Sequence, residues 1–519
     1  MSYHFFDWFL PVVYLIILVY IAVLSGKKTN TVEDLFLARG SLGFIIIGFS
    51  LFASNISSTT LIGLAGSAYK SGISVANYEW MAGVVLLIAA FIFVPIYLRN
   101  KLNTVPEFFE HRFSIKCRQY VSFWMIILTI FVDTSASLFA GALVLKVFFP
   151  FILIWPTVIV LGFFAGLYTM VGGLRAVMLS DALQAIILII GSLLLTLFVF
   201  KEFEYSWANF LSSVPESHLN FIKPQGDPNM PWTGLIVGVP ILGLYYWCMN
   251  HYISQRFFAA KSEDHAKWGA ILAAFLKLIP LFIMVLPGVA AISLIPNLER
   301  SDEVFPTLVK TYLPPGLRGL IVAAFLAAIM STIDSTINAA SALLHYDFLK
   351  KNIKTFKSNL FQARILTGIF MFMAILWAPI INSFPGLFSY LQQMFSIVVP
   401  PIVASFLLGL FWEKSNKVGA LSSMLIGHLF GIFVTFYKIS FFSKLHFLEI
   451  SGLITIFCLL LNILLSLIFK NKNLKKNNYK VNWKPNMISM TKKYPFYKDY
   501  RFFALIFLLL LSILVFKFR

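Results

Sequence analysis

The stretch Gly48-Phe-Ser-Leu-Phe-Ala-Ser-Asn-Ile-Ser-Ser-Thr-Thr-Leu-Ile-Gly63 places seven hydroxyl or amide side chains inside an otherwise apolar segment of membrane-spanning length. Hydrocarbon cannot satisfy exposed backbone groups, so this composition predicts a helix that is interrupted at mid-membrane and buried in protein. Carbonyls released by such a break suit a hard cation such as sodium, and released amides suit a polar solute. The alternative is that the hydroxyls only bond back to the preceding turn or join neighbouring helices.

The composition of the whole chain predicts an all-α integral membrane protein. Of its 519 residues, 59% are hydrophobic and 12% are charged, and the mean hydropathy is +0.84. No soluble domain could bury this much apolar surface, and the long unbroken apolar runs exclude a transmembrane β-barrel. The formal charge of +19 comes from Lys and Arg in short loops between apolar segments. This distribution favours positive-inside topology over nucleic-acid binding.

About fourteen membrane spans are predicted from the apolar runs. They lie near 6–25, 43–69, 74–98, 119–146, 149–170, 176–200, 233–254, 266–297, 317–346, 362–382, 387–412, 418–437, 446–469 and 502–518. The excess of Lys and Arg on one side predicts that the N-terminus lies outside. It also makes 470–501 a basic cytoplasmic linker close to anionic membrane lipid. We therefore expect a multi-pass protein of a plasma membrane, most simply a bacterial inner membrane.

Two interrupted spans, five apart, predict how the spans are arranged. The span near 43–69 contains the polar stretch, and the span near 233–254 is punctuated by Gly and Pro. Such a pair is typical of an inverted-repeat transporter whose two halves surround a central site. We therefore predict a single transporter domain over 1–519, with a five-plus-five core at 43–412 and peripheral segments at 1–42 and 413–519.

Charged residues within or close to the predicted spans indicate where such a site lies. They are Glu79, Asp133, Asp181, Lys277 and Asp334. Each costs about 2.5–3.5 kcal/mol at the centre of a span on insertion scales, so each should face a cavity or a partner. For Asp133, the alternative is a structural ion pair or a position at the end of a span.

The ninth span brings hydroxyl groups to a helix rich in small residues. Ser331, Thr332, Asp334 and Ser335 stand on adjacent turns after the run Ala323-Ala-Phe-Leu-Ala-Ala328. Small residues allow this helix to approach the broken helix closely. Hydroxyls that face carbonyls of the break would then complete a cation site made of oxygen atoms only.

Several stretches along the chain carry a family resemblance. They are Ala53-Ser-Asn-Ile-Ser57, Ala76-Asn-Tyr-Glu-Trp-Met81, Thr104-Val-Pro-Glu-Phe-Phe-Glu-His-Arg-Phe113, Tyr245-Tyr-Trp-Cys-Met-Asn250 with Gln255-Arg256, Ala273-Ala-Phe-Leu-Lys-Leu278, Leu286-Pro-Gly288 and Phe406-Leu-Leu-Gly-Leu-Phe-Trp412. Together they resemble the sodium/solute symporter family, and most closely its sodium/sugar branch. The resemblance covers essentially the whole chain. It implies the inverted-repeat fold, sodium as the coupling ion, and a small solute that is carried by alternating access.

The resemblance implies a principal sodium site on the broken helix. Its ligands would be the backbone carbonyls of Ala53, Ile56 and Ala328 and the hydroxyls of Ser331 and Thr332. Asp181 matches the family acid near that sodium, although Leu179 replaces the aromatic residue that is usual two positions before it. Some relatives hold a second sodium near this acid. In this chain Asp181, Asp334 and Ser335 would hold or support it.

The resemblance also implies a solute site that keeps part of the sugar pattern. Glu79, Lys277, Gln392 and the gating aromatic Tyr246 occupy positions that the sugar branch uses, and Asn55 matches the amide that supports the gate. The positions that depart from the galactose pattern are Thr60 for glutamine, Ala82 for serine and Gly243 for asparagine. A site built to bond a substrate hydroxyl discriminates through the polar groups that a wrong ligand leaves unpaired. The implied solute is therefore a sugar or polyol, and galactose itself is not implied.

Other functions stay open at this point. The first is a sodium symporter for a carboxylate, an amino acid or a nucleoside, and the second is a symporter-like membrane sensor. An enzyme is not expected, because no two of the eight His have metal-like spacing within a span and no Ser/His/Asp arrangement is indicated. Membrane lipid and the transported solute are the expected partners, without nucleic acid. The oligomeric state is not indicated.

Overall fold

The computed structural model describes residues 5–26, 31–38, 40–349, 360–384, 386–436, 442–469, 483–488 and 495–518. Within these residues the regular structure is helical, and β-type pairing is limited to two isolated bridges. The structure therefore confirms the all-α fold class.

The α-helices are numbered in chain order. The first eleven are α1 Phe5–Gly26, α2 Val32–Phe36, α3 Phe44–Asn55, α4 Ser58–Ser71, α5 Ala76–Ile88, α6 Val94–Arg99, α7 Glu107–Arg112, α8 Ile115–Ile127, α9 Ser135–Phe148, α10 Ile154–Lys201 and α11 Trp207–Ser213. The others are α12 Trp232–Leu244, α13 His251–Phe258, α14 Glu263–Leu276, α15 Leu286–Leu294, α16 Val304–Tyr312, α17 Leu317–Leu343, α18 Leu360–Trp377, α19 Leu387–Phe411, α20 Lys417–Phe436, α21 Phe447–Ile468 and α22 Tyr500–Phe518. Turns of π-helix extend several of them, at Ala89–Phe93, Leu128–Thr134, Tyr245–Met249, Leu281–Val285 and Leu344–Leu349.

Every predicted span contains helical residues, but the count of fourteen is not confirmed. Eleven helices in the described part of the chain are long and apolar enough to cross a membrane. The predicted span at 176–200 and all of the predicted span at 149–170 except its first five residues fall within the single 48-residue helix α10. A span needs about 20 residues, so α10 has the length of two crossings.

The polar stretch forms two helices separated by a short break. Helix α3 ends at Asn55, and Ile56 has φ −79° and ψ 62°, which is not helical. Ser57 then caps α4, because its side chain accepts a hydrogen bond from the Thr60 amide at 3.3 Å. The Thr60 hydroxyl donates to the Asn55 carbonyl at 2.6 Å. Side chains of the stretch therefore satisfy backbone groups that the break exposes.

The interruption of the seventh predicted span lies further along the chain than its Gly and Pro residues. Pro240 lies inside α12, and the π-turn Tyr245–Met249 continues that helix. The chain turns at Asn250, with φ −58° and ψ 124°, and its side chain accepts from the Tyr252 amide at the start of α13. An Asn cap therefore makes this interruption, because it supplies the hydrogen bond that a new helix start needs.

Close packing holds α3 against its neighbours. It contacts α14, α10 and α17. A Cβ added at Gly48 would lie 2.7 Å from Leu272, and one added at Gly269 would lie 2.5 Å from Ile47. The two glycines therefore let α3 and α14 approach closely, as small residues do between membrane helices. This approach sets the end of α3 beside the end of α14.

Candidate functional site

A cavity of about 90 Å³ lies beside the break between α3 and α4. Five of the predicted solute and gate residues line it, namely Asn55, Thr60, Glu79, Tyr246 and Gln392. Ala82 and Gly243, which depart from the galactose pattern, line it too. The structure therefore collects side chains from α3, α4, α5, α12, α19 and the π-turn Tyr245–Met249 around one space.

Lys277 lies outside the lining of this cavity and connects α14 with α5 and α3. It follows the last residue of α14 and is fully buried. Its Nζ lies 2.5 Å from Glu79 Oε2 on α5 and also donates to Asn55 Oδ1 at the end of α3. The sequence analysis singled out Glu79 and Lys277 as buried charges that need partners, and the structure pairs them. Each charge lowers the cost of burying the other.

Tyr246 lies at the edge of the cavity, and its neighbours hold its hydroxyl. That hydroxyl accepts a hydrogen bond from Tyr252 at 2.5 Å. The Asn55 side chain lies close to the same hydroxyl, and both residues line the cavity. Asn55 therefore contacts both Tyr246 and Lys277, so the broken helix contacts the gate residue and the charged pair through one side chain.

Two aromatic residues that the sequence analysis did not include separate this cavity from a second one. Tyr78 and Phe388 line the solute cavity and also a neighbouring cavity of about 300 Å³. Their rings meet edge to face, with centroids 4.9 Å apart. Sequence spacing contained a signal for Phe388, because it precedes Gln392 by one helical turn. It contained none for Tyr78, because adjacent residues such as Tyr78 and Glu79 point to different sides of a helix. The two rings form a wall between the cavities.

The second cavity contains the residue that fixes the start of α19. The Asp302 carboxylate accepts a hydrogen bond from the Leu387 amide at 3.2 Å and pairs with Arg300 at 3.2 Å. Burial raises the pKa of Asp302, while the Leu387 amide and Arg300 oppose that rise. These contacts hold the helix end from which Phe388 and Gln392 project.

Removing the Phe388 ring should join the two cavities. An edge-to-face pair is worth about 0.5–1.5 kcal/mol, so we expect Phe388→Ala to raise the KM for solute by about 2- to 10-fold. Concentration-dependent uptake into proteoliposomes measures this change. Phe372→Ala is the matched control, because Phe372 is 62% exposed on α18. An unchanged KM in Phe388→Ala would contradict the role of the wall.

The predicted sodium ligands lie on two helices that contact each other. Ala53 lies near the end of α3, Ile56 lies in the break, and Ala328, Ser331 and Thr332 lie on α17. All five residues are buried. The Thr332 hydroxyl donates to the Ala328 carbonyl at 2.9 Å, and Thr332 also lines the solute cavity. The candidate ion site therefore adjoins the solute cavity.

The donor set in this region suits a hard cation. Among the described residues, no group of three or more His, Cys, Asp or Glu could hold a metal ion. The α3 and α17 residues offer carbonyl and hydroxyl oxygens instead, which are ligands of hard cations such as sodium.

Asp181 is the centre of a buried polar network that includes a residue the sequence analysis left without a role. Its carboxylate accepts hydrogen bonds from Ser50 at 2.5 Å and from Ser331. Arg256 pairs with the same carboxylate at 3.0 Å and donates to Ser335 at 2.7 Å. Arg256 stands in the family-like stretch Gln255-Arg256, and its type alone did not indicate its partner.

This arrangement bears on the expected second sodium. Arg256 lies between Asp181 and Ser335, and it is fully buried. Asp334 is buried next to Ser335 on α17. A second sodium at these residues would have to share Asp181 with a guanidinium that is always charged.

Comparison with known proteins adds family relationships to this geometry. A model described as the sodium:solute symporter family matches residues 35–427. Sodium/glucose cotransporter 1 of Oryctolagus cuniculus is 36% identical over 468 residues, which cover 81% of this chain and 70% of that protein. The sodium/glucose cotransporter of Vibrio parahaemolyticus is 33% identical over 445 residues, which cover 80% and 81%. Sodium/myo-inositol cotransporter 2 of Mus musculus is 35% identical over 445 residues, which cover 78% and 66%.

Solved structures share the fold. A Na⁺-coupled sialic acid symporter in a substrate-bound outward-open state has a TM-score of 0.79 at 20% identity, covering 90% of this chain and 99% of that one. A nucleobase-cation-symport-1 family transporter in a closed conformation has a TM-score of 0.58 at 15% identity, covering 86% and 97%. At these identities the likeness concerns the fold alone, which is that of a multi-pass helical membrane transporter.

Proposed function

The chain belongs to the sodium:solute symporter family, and from that premise we propose that it couples the inflow of sodium to the uptake of a sugar or polyol. Relatives that cover most of the chain are named as sodium/glucose and sodium/myo-inositol cotransporters. The chain is accordingly a transporter rather than an enzyme, and a multi-pass membrane protein.

The observation that carries the choice of solute is the pairing of Lys277 with Glu79 and Asn55 beside the cavity. A carboxylate accepts hydrogen bonds and an ammonium donates them, so the pair can bond several hydroxyl groups of one solute. The charge of Lys277 is already compensated by Glu79. A neutral polyhydroxy solute therefore fits this pair better than a carboxylate, which would need an uncompensated cation.

The same broken helix supports the proposal of sodium coupling. Its end offers the carbonyls of Ala53 and Ile56, while Asn55 and Thr60 line the solute cavity. A sodium ion held by these carbonyls and by the hydroxyls of Ser331 and Thr332 would order the break. Ordering the break would preorganise the solute cavity, so sodium and solute should raise each other's affinity by the same factor.

The topology proposed for the transport cycle follows from the sequence. The core is 43–412, flanked by 1–42 and 413–519, and the N-terminus lies outside a plasma membrane, most simply a bacterial inner membrane. In this orientation Tyr246 is the inner gate. Loss of sodium toward the cytoplasm would then loosen the break and release the solute.

Ser331→Ala tests the proposed sodium site. Losing one hydroxyl ligand costs about 1–1.5 kcal/mol, so we expect the sodium concentration for half-maximal uptake to rise by about 5- to 10-fold. Sodium-dependent uptake into proteoliposomes measures this concentration. Ser54→Ala is the matched control, because Ser54 also lies 3.3 Å from Asp181 but is not a proposed ligand. An equal rise of this sodium concentration in both variants would show that both act through Asp181, and it would contradict Ser331 as a sodium ligand.

A thermal-shift screen of the purified protein tests the function itself. The panel contains sugars, polyols, small carboxylates, amino acids and nucleosides, each with and without sodium. A ligand that binds only the folded state raises its Tm by mass action. We expect sugars or polyols to raise the Tm more in sodium than without it. Stabilisation by carboxylates, amino acids or nucleosides alone would instead indicate a sodium symporter for a non-sugar solute.

A further inference from the structure

The solute cavity contains a second buried acid that the Glu79–Lys277 pair does not use. Asp133 lies on the π-turn Leu128–Thr134, lines the cavity and is 7% exposed. One carboxylate oxygen, Oδ2, has no hydrogen-bond partner in the described structure. The Nδ2 of Asn250, which neighbours the carboxyl group, likewise has no hydrogen-bond partner among the residues described. π-turns inside α-helices often occur at functional sites.

The buried cations nearest the cavity are paired with other acids. Lys277 pairs with Glu79, and Arg256 pairs with Asp181. No ion pair of Asp133 occurs within the described part of the chain, so the structural ion pair considered from the sequence is not found there. An ionised Asp133 thus leaves the cavity with one uncompensated negative charge. Burying such a charge is costly unless a ligand brings a positive one.

The surroundings of Asp133 suit an organic cation. The tyrosines Tyr246 and Tyr252 line the same cavity as Asp133. Further rings line the same cavity, at Tyr78, Trp247 and Phe388. Aromatic faces attract an ammonium group within about 6 Å, most strongly where water is excluded. One carboxylate among aromatic rings is the arrangement that recognises ammonium ligands.

We propose that Asp133 is a specificity-determining residue that binds a protonated amino group of the solute, so that the chain prefers amino sugars or aminopolyols to their neutral parents. This proposal rests on the proposed function, because it concerns the same cavity. Asp133 and Glu79 come from different helices. The hydroxyl groups of one solute therefore contact Glu79, which Lys277 holds by their ion pair, while its amino group contacts Asp133.

The test compares three forms of each sugar on the full chain purified in detergent with sodium. The probes are the 2-amino-2-deoxy forms of glucose, galactose and mannose, the neutral parent sugars, and the N-acetylated amino sugars, which carry no charge. Thermal-shift titrations give the relative affinities. We expect at least one amino sugar to bind about 10-fold more tightly than both its parent and its N-acetyl form, with no variant needed to see this.

The variant series locates the cause. Asp133→Asn keeps the size of the side chain and removes its charge, so we expect the preference for the amino sugar to fall to about 2-fold or less while the parent sugar still binds. Asp133→Ser is a second neutral variant in case the first does not fold. Asp499→Asn is the matched control, because Asp499 pairs with the half-exposed Arg501 on α22, away from the cavity.

The possible results distinguish failure of the proposed role of Asp133 from failure of the proposed function. Sodium-dependent binding of neutral sugars without any preference for amino sugars would overturn the role of Asp133 and leave the proposed function intact. A preference that survives in both Asp133 variants would also overturn it. If no member of the panel binds in the presence of sodium, the result contradicts the proposed function itself.

Discussion

Glu79→Ala is expected to abolish saturable solute uptake at normal expression. Glu79 accepts from Lys277 in a setting where both side chains are buried. Removing one partner of a buried ion pair costs about 3–5 kcal/mol, because the other charge is left uncompensated. This cost falls on the folded site, which also loses the carboxylate that would accept hydrogen bonds from the solute. The measurement is uptake into proteoliposomes of the sugar or polyol that the thermal-shift screen selects.

Two further variants separate loss of the site from loss of the fold. The double variant Glu79→Ala/Lys277→Ala removes both charges, so we expect it to regain part of the thermal stability but not the uptake. Glu216→Ala is the matched control, because Glu216 is an exposed acid at the start of the short 3₁₀-helix Glu216–His218. Saturable uptake with unchanged affinity in Glu79→Ala would move the solute site away from the cavity.

Uptake is also expected to be electrogenic. A sodium ion carries one charge inward with a neutral sugar, and a potential of 100 mV adds about 2.3 kcal/mol for each net charge moved. This corresponds to roughly a 50-fold accumulation per ion. In proteoliposomes with an imposed sodium gradient, solute influx should accelerate when the interior is made negative. An amino sugar would carry a second positive charge, so its influx should depend more steeply on the potential.

The controls for this experiment are liposomes without protein and vesicles with equal sodium on both sides. Ser331→Ala should keep the response to the potential at saturating sodium, because the variant weakens sodium binding without removing the transported charge. Influx that responds neither to the gradient nor to the potential would contradict coupling and indicate a uniporter or a sensor.

Coupling in this proposal depends on how the break satisfies its own polar groups. Thr60 donates to the Asn55 carbonyl, and Ser57 caps α4. Asn55 contacts Lys277 through its side chain. A cation that draws the carbonyls of Ala53 and Ile56 together would act on the same few residues. The ion and the solute therefore share a short, hydrogen-bonded segment rather than two distant sites.

The sequence determined the fold class and the polar break because both follow from local rules. Long apolar runs form helices in hydrocarbon, because a helix satisfies its own backbone hydrogen bonds. Seven polar side chains in one such run predict an interruption that is buried in protein. The need for a partner could likewise be predicted for Glu79 and Lys277, since a lone charge in a span is costly. Opposite buried charges favour pairing with each other, because each lowers the other's burial cost, and the structure places the two in contact.

Other features were decided by the tertiary structure. These are the pairing of Arg256 with Asp181, the wall of Tyr78 and Phe388, and the position of Asp133 in the cavity without an ion pair among the described residues. The tertiary structure also decided that the helix is interrupted at Asn250 rather than at Pro240. A helix that is apolar on all sides has no amphipathic stripe to show which face meets a neighbour. Sequence therefore shows that a buried charge needs a partner, and only the packing of the helices decides which partner it meets.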